Sequence, residues 1–222
     1  MLDTAIATTD RASSILKEIG FKENVYFKNL VAGEMSLQSF RHSQEQFYFA
    51  VAHYSQPIAC LLSRIKDTKQ RAKLLHNLLD EHGDLNEAAC HENTFKTFLA
   101  SIGSNGIDDL YPSAPVLAFN TALSGACAYQ EPEIGLSCLG IIEYAFADVS
   151  ALIAKQIVEN GWVSAATLCH YSLHADLDIS HSQDLFSTVE EAWYSPERSV
   201  YAEQGLNLGA YIFDKLYRDL YR

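Results

Sequence analysis

Residues 169–181 read CHYSLHADLDISH, and His174, Asp178 and His181 within this stretch are separated by four and then three residues. On a helix turning about 100° per residue they fall at about 0°, 40° and −20°, so one face presents two imidazoles and a carboxylate to a common centre. Such a set suits iron, manganese or zinc. His170, one turn earlier, extends the face as a further ligand or as the partner of one. A lone histidine on a helix is ordinarily a solvated surface group; three on one stripe are not. Asp176 and Asp184 lie off the stripe and are expected in solvent, Asp184 at its margin.

An independent sign comes from Glu143 in LGIIEYAF. Its helical neighbours at −7, −4, −3, +3 and +4 are Leu136, Leu139, Gly140, Phe146 and Ala147, so the carboxylate is expected to be buried. An ionised carboxylate in such surroundings must be matched by a cation, either a metal or an Arg or Lys from another helix. Glu81 ends KLLHNLLDE with Leu74 and Leu78 on its stripe, and His91 opens HENTFKTFLASIG with Phe95, Phe98 and Leu99 on its own face. His76, His82, Asp84 and Glu87 compete nearby, and periodicity leaves Asp84 open as a substitute for Glu81.

Outward from these residues the chain reads as helix almost throughout. Gly33, Gly83, the stretch from Gly103 to Pro115, Pro132, Gly161 and Pro196 divide it into blocks with apolar residues at helical spacing. Helices are expected over 9–32, 36–65 with a kink at Pro57, 68–82, 91–102, 114–129, 133–160, 164–190 and 197–221. Ser36 and Ser195-Pro196 fit N-terminal caps. In the last block Leu206, Gly209, Ala210, Phe213, Leu216, Tyr217 and Leu220 form one packing stripe. There is no repeat, glycine-rich phosphate loop or nucleophile elbow, so the chemistry is expected from side chains on helices.

Composition narrows the partners. A chain of 222 residues fits one domain, residues 1–222, that buries roughly 70% of its unfolded surface. With 28 acidic against 16 basic residues and a net charge of −12, it repels phosphate backbones and anionic lipid, so neither nucleic acid nor membrane is an expected partner. The five cysteines, Cys60, Cys90, Cys127, Cys138 and Cys169, lack CxxC spacing, which argues against disulfides and structural zinc and fits a reducing cytoplasm. The N-terminal MLDTAIATTD lacks the pattern of a secretory signal. The apolar run Ile134 to Val158 is broken by Glu143, Asp148 and Lys155, as in a buried helix of a soluble protein.

The order Glu81, His91, Glu143, then His174-x3-Asp178-x2-His181 on a helical chain of this length resembles the haem-oxygenase-like di-iron oxidases. The likeness runs from VYFKNLVAGEMS through LLDEHGD, FKTFLASIG and LGIIEYAF to the histidine-rich segment. It implies an all-α, haem-oxygenase-like bundle of about seven helices whose six side chains hold two irons, ferrous before dioxygen arrives, with a mixed manganese and iron pair as a variant. Glu81 would bind one iron, His91 the other, Glu143 would bridge, and the last three residues would complete both sets. The implied partners are O2 and a small-molecule substrate, with an electron donor and a homodimer left open. Relatives that oxygenate nitrogen carry an extra carboxylate on the helix before Glu81, and FYFAVAHYSQPIACLLSRI has none. The expectation therefore moves to carbon chemistry, desaturation or oxidative fragmentation of an amino-acid-like or fatty substrate.

A chlamydial relative makes para-aminobenzoate from its own tyrosine. Tyr26 stands near that position here, with Ser43 where a second tyrosine would be. The rival readings are a metal-free enzyme of the thiaminase II or pyrroloquinoline quinone synthase type, which share the fold, and a non-enzymatic interaction protein. Thiaminase II needs a reactive cysteine, and neither Cys127 nor Cys138 has a basic residue close in sequence to activate it. Phe47, Tyr48, Tyr144, Phe146 and Tyr171 are candidate pocket walls.

Overall fold

The computed structural model describes residues 4–164, 168 and 170–221, without the side chains of 4–6, 172, 173, 175 and 176. Cys169 and the side chain of Asp176 therefore lie outside the described residues. Among the described residues there are nine α-helices and no strand: α1 (Thr4–Glu18), α2 (Val25–Val31), α3 (Leu37–Leu62), α4 (Thr68–Glu81), α5 (His91–Ser101), α6 (Ala114–Tyr129), α7 (Pro132–Glu159), α8 (His170–Trp193) and α9 (Ser199–Leu220).

The axis of the bundle is α7, apolar on every side, with Leu136, Cys138, Leu139, Ile141, Ala145, Val149, Ile153 and Ile157 all buried. Its length and apolarity would allow it to cross a membrane, but most of its apolar window is buried inside the bundle. It packs against α8 and α9, while α3 lies across α4, α5 and α6. Close approach of α7 to its partners requires glycine. A Cβ on Gly140 would stand 2.6 Å from the Phe186 ring of α8, and one on Gly209 would stand 2.6 Å from the Cys138 carbonyl. The stripe expected on the last block is buried from Leu206 to Leu220.

Several boundaries follow the caps. Ser36 accepts a hydrogen bond from the Ser39 amide and starts α3, which continues through Pro57 to Leu62. The helix expected over 9–32 is two helices. Gly20 takes a left-handed φ of 66°, which ends the first, and Asn24 accepts from the Tyr26 amide to start the second. Ser195-Pro196 is not the cap of the last helix. Its residues form a turn in which the Ser195 carbonyl accepts from the Arg198 and Ser199 amides, and α9 starts at Ser199.

Candidate metal centre

The face of α8 places His170, His174, Asp178 and His181 in the interior, and α7 brings Glu143 against them from the opposite side; all five are buried. Glu81 and His91, also buried, stand at the last residue of α4 and the first of α5, the two ends of one connection. His91 Nδ1 lies 3.1 Å from Glu81 Oε1, and the His91 and His174 ring centroids are 4.3 Å apart. His174 Nδ1 is 2.8 Å from Asp178 Oδ1; His181 Nδ1 is 3.8 Å from Glu143 Oε2 and 4.0 Å from Asp178 Oδ1. All six residues expected from the sequence thus converge, with His170 beside them. The competitors His76, His82, Asp84 and Glu87 are exposed, so Asp84 does not take the place of Glu81. Asp184 is at the margin of the stripe, partly exposed near His76.

The cluster is electrostatically divided. Burial pushes the Glu143 carboxyl up, but hydrogen bonding and charge from His181, with help from His174 and Tyr54, outweigh it and lower its pKa. Asp178 goes the other way, raised well above the ordinary range by burial and by the neighbouring Glu143 charge. Burial opposes the proton on His181, yet Glu143, Asp80 and Asp178 push its pKa up to about 10. His91 is raised for the same reason, Glu81 overcoming burial. His174 is held down to about 3 and His170 well below its usual value, both by burial first and then by neighbouring imidazoles. Among the described residues His181 is the cationic side chain that faces Glu143, and no Arg or Lys pairs with it.

The donor set fits a first-row metal ion. His174 Nε2, Asp178 Oδ2 and His170 Nε2 are buried without any hydrogen-bond partner, a costly state for groups of this kind unless something else binds them. Glu81, Glu143 and His181 offer ligand atoms that all lie within 4.8 Å of one another, near the spread of atoms around one ion. Imidazole nitrogen with carboxylate oxygen is the ligand mixture of non-haem iron and manganese. His181 Nε2 is 2.9 Å from Asp80 Oδ2, a carboxylate–imidazole pairing that fixes the ring and turns Nδ1 inward.

Beside these groups lies a narrow cavity walled by Phe47, Val51, Phe119, Ile142, Phe146 and Phe213. Of the expected wall residues, Phe47 and Phe146 line it. Tyr48 instead donates to Glu92, Tyr144 packs beside Phe186, and Tyr171 donates to Gln44. Two residues that sequence reasoning missed matter here. Tyr54 lines the cavity beside Glu143, whose carboxyl it helps to hold ionised, and its hydroxyl lies 3.5 Å from the Leu139 carbonyl. It lies seven residues after Phe47, a spacing that marks one helix face and would have revealed it. Asp80 carries no such signal, because it points about 100° away from Glu81 on the same helix.

The profile of the iron-containing redox enzymes matches residues 41–204. The chain belongs to that family. Within reach of this iron-containing redox enzyme is 4-aminobenzoate synthase of Nitrosomonas europaea, 22% identical over 85% of this chain and 80% of that protein. The fold is haem-oxygenase-like. A Shewanella denitrificans domain with a heme oxygenase-like fold superposes with a TM-score of 0.77 at 15% identity over 99% of this chain and 94% of that one. A CADD-like protein of Nostoc punctiforme gives 0.78 at 14% identity over 97% of both chains. A TenA homologue of P. horikoshii gives 0.75 at 12% identity over 100% of this chain and 99% of that one. These likenesses concern the fold. The cysteine chemistry of the thiaminase II reading finds little support at two of its sites, since burial pushes Cys127 up to about 12 and Cys138 well above its usual value.

Proposed function

We propose that this member of the iron-containing redox enzymes is a non-haem di-iron oxidase that activates O2 against a small apolar substrate. One observation carries the reading: Glu81, His91, Glu143, His174, Asp178 and His181 converge in the interior, the first four on the wall of an apolar cavity, with His174 Nε2 and Asp178 Oδ2 unpartnered among the described residues. Iron held by these residues would supply the one-electron chemistry that dioxygen requires. Glu81, Glu143 and Asp178 offset three of the four charges of two ferrous ions. Asp80 holds His181 through Nε2 and aims Nδ1 at Glu143 and Asp178, the atom that would give up its proton to bind a metal. Tyr54 stands on the cavity wall beside Glu143 and helps keep that carboxyl ionised. The phenyl walls exclude water from the reacting space. The same donors accept manganese in place of one iron.

The walls also bear on the substrate. Among the described residues no Arg or Lys lines the cavity, so the carboxylate of an amino acid would enter without a fixed cation, whereas an alkyl chain or ring would be desolvated favourably. Fatty or aromatic substrates fit better than amino-acid-like ones, with desaturation or oxidative fragmentation as the reaction and an electron donor where the substrate does not supply all electrons. The test is to load the protein with ferrous iron without oxygen, measure iron per chain, then admit oxygen and follow visible absorption. Close to two irons and a transient band are expected; no iron uptake overturns the reading.

A second reading has its own support. The Nitrosomonas europaea relative is a 4-aminobenzoate synthase, and Tyr26 is fully buried with its hydroxyl held by Ser43 at 2.8 Å and Gln44 at 2.7 Å. In this reading Tyr26 is itself the precursor. Iron-loaded protein given oxygen, a reductant and an amine donor for the ring nitrogen would then release 4-aminobenzoate and lose the Tyr26 side chain by peptide mass spectrometry. Intact Tyr26 after turnover eliminates it.

A further inference from the structure

His170 is not among the six side chains of the ordered motif, yet it is fully buried on their face, one turn before His174. Its ring centroid lies 4.2 Å from that of His174 and 6.2 Å from that of His91, and the ring lines the cavity. Two hydrogen bonds define its tautomer. Thr94 Oγ1 gives its proton to the His91 carbonyl at 3.0 Å, and the same oxygen lies 3.1 Å from His170 Nδ1. With the Thr94 proton on that carbonyl, the shared oxygen accepts from Nδ1–H, the tautomer assigned to this pair. Nε2 of a neutral imidazole protonated at Nδ1 is a bare lone pair. That atom is buried and has no hydrogen-bond partner.

A histidine kept only for packing beside Phe95, whose ring meets it edge-on at 4.8 Å, would gain nothing from a stranded acceptor; phenylalanine would fill the space without the desolvation cost. The arrangement is instead that of a ligating imidazole, one nitrogen tied down and the other free. We propose that His170 is a seventh coordinating side chain of the centre, binding through Nε2 at the end formed by His91 and His174. The inference rests on the di-iron reading above and adds a third imidazole to that end of the cavity.

Anaerobic titration of the apo protein with ferrous iron, read by iron per chain and by near-infrared circular dichroism of the ligand-field bands, tests it without turnover. Wild type is expected to take up two ions. His170→Ala should weaken one of them by about 10–100-fold, or more, and shift its bands. Added imidazole should restore both. Thr94→Val, which keeps the ring but releases the tautomer, should weaken the same ion by a smaller factor. If His170→Ala does not fold by far-ultraviolet circular dichroism, His170→Phe fills the same space beside Phe95 without a ligand atom and takes its place. Unchanged stoichiometry, affinity and bands in the folded variant overturn the proposal while leaving the di-iron reading intact. A wild-type protein that takes up no iron removes that reading, and this one with it.

Discussion

Two buried polar clusters sit side by side in this bundle, and adjacent residues of α8 belong to one each. Tyr171 joins a closed chain of hydrogen bonds. Its hydroxyl donates to Gln44 Oε1, Gln44 Nε2 donates to the Tyr26 hydroxyl, Tyr26 donates to Ser43, and Ser43 donates to the Phe40 carbonyl at 2.6 Å. His170, one residue earlier, opens onto a cluster of seven ionisable side chains in which three atoms are left without partners. Both clusters are equally removed from water. Burial therefore does not distinguish a site from a scaffold; the pairing of the polar atoms does. A satisfied network fixes helix positions, and an unsatisfied one stores a demand that a ligand meets.

The contrast breaks most visibly at the ligand positions. His174→Ala and Asp178→Ala should each cut iron content and lower oxygen-dependent turnover by more than about a hundredfold, beyond the usual effect of losing a ligand's partner. The helical circular dichroism should stay unchanged. Wild-type iron and oxygen uptake in either purified variant would remove the site. Metal itself should act next. Ferrous iron at a hundredfold excess over Kd should stabilise the apo protein by about 2.7 kcal/mol, about 5–10 °C in Tm for a chain of this size. An unmoved two-state melt at millimolar iron would contradict this.

Paired substitutions then set the clusters against each other. Gln44→Leu strands the Tyr26 and Tyr171 hydroxyls and should cost about 2 kcal/mol in denaturant melts while leaving iron binding alone. Glu143→Gln should lower iron content, and its cost to the apo protein should be confined to the pH range in which His181 carries its proton. A strongly destabilised apo Glu143→Gln with normal iron would merge the two clusters into one structural class.

The smallest effect is in the pH dependence of the apo protein. His181 is raised from 6.5 to about 10, so its stabilising contribution is complete below pH 6.5 and is lost as pH rises through about 10. His91 and Asp178 are raised too and act in the same direction. His174, lowered to about 3, acts oppositely but only between about 3 and 6.5. Apo Tm should therefore decline from pH 6.5 to 10, and less steeply in Glu143→Gln, where the main anion facing His181 is gone. A flat profile in both would show that the charges are not coupled as described.

Much of this was legible in the sequence for a definite reason. The stripe of His174, Asp178 and His181 is set by helical geometry alone, and Glu143 is exposed as anomalous by its apolar neighbours. Glu81 and His91 are different, because they face each other across a connection whose path no periodicity encodes. Only the ordered likeness to a family picked them from among Asp84, His82 and His76. The break at Gly20 was hidden because residues on both sides keep an apolar spacing. The roles of Asp80 and Thr94 depend on which atom of a neighbouring ring they reach, a property of three-dimensional contact rather than of spacing.

That connection between α4 and α5 has a consequence for the order of events. Gly83, Asp84 and Leu85 carry φ of 59°, 52° and 68°, three left-handed residues in succession, and the two that are not glycine cost on the order of 1–3 kcal/mol each. The segment folds tightly on itself, since a Cβ on Gly83 would stand 2.4 Å from the Ala89 carbonyl carbon. Glu81 and His91 are thus joined by a loaded spring, whereas the ligands on α8 share the rail of one continuous helix. Release of the spring separates those two side chains without disturbing the rail, so amide exchange should be fastest across residues 83–90, and a chelator should draw metal out through this breach at the pace at which the loop opens.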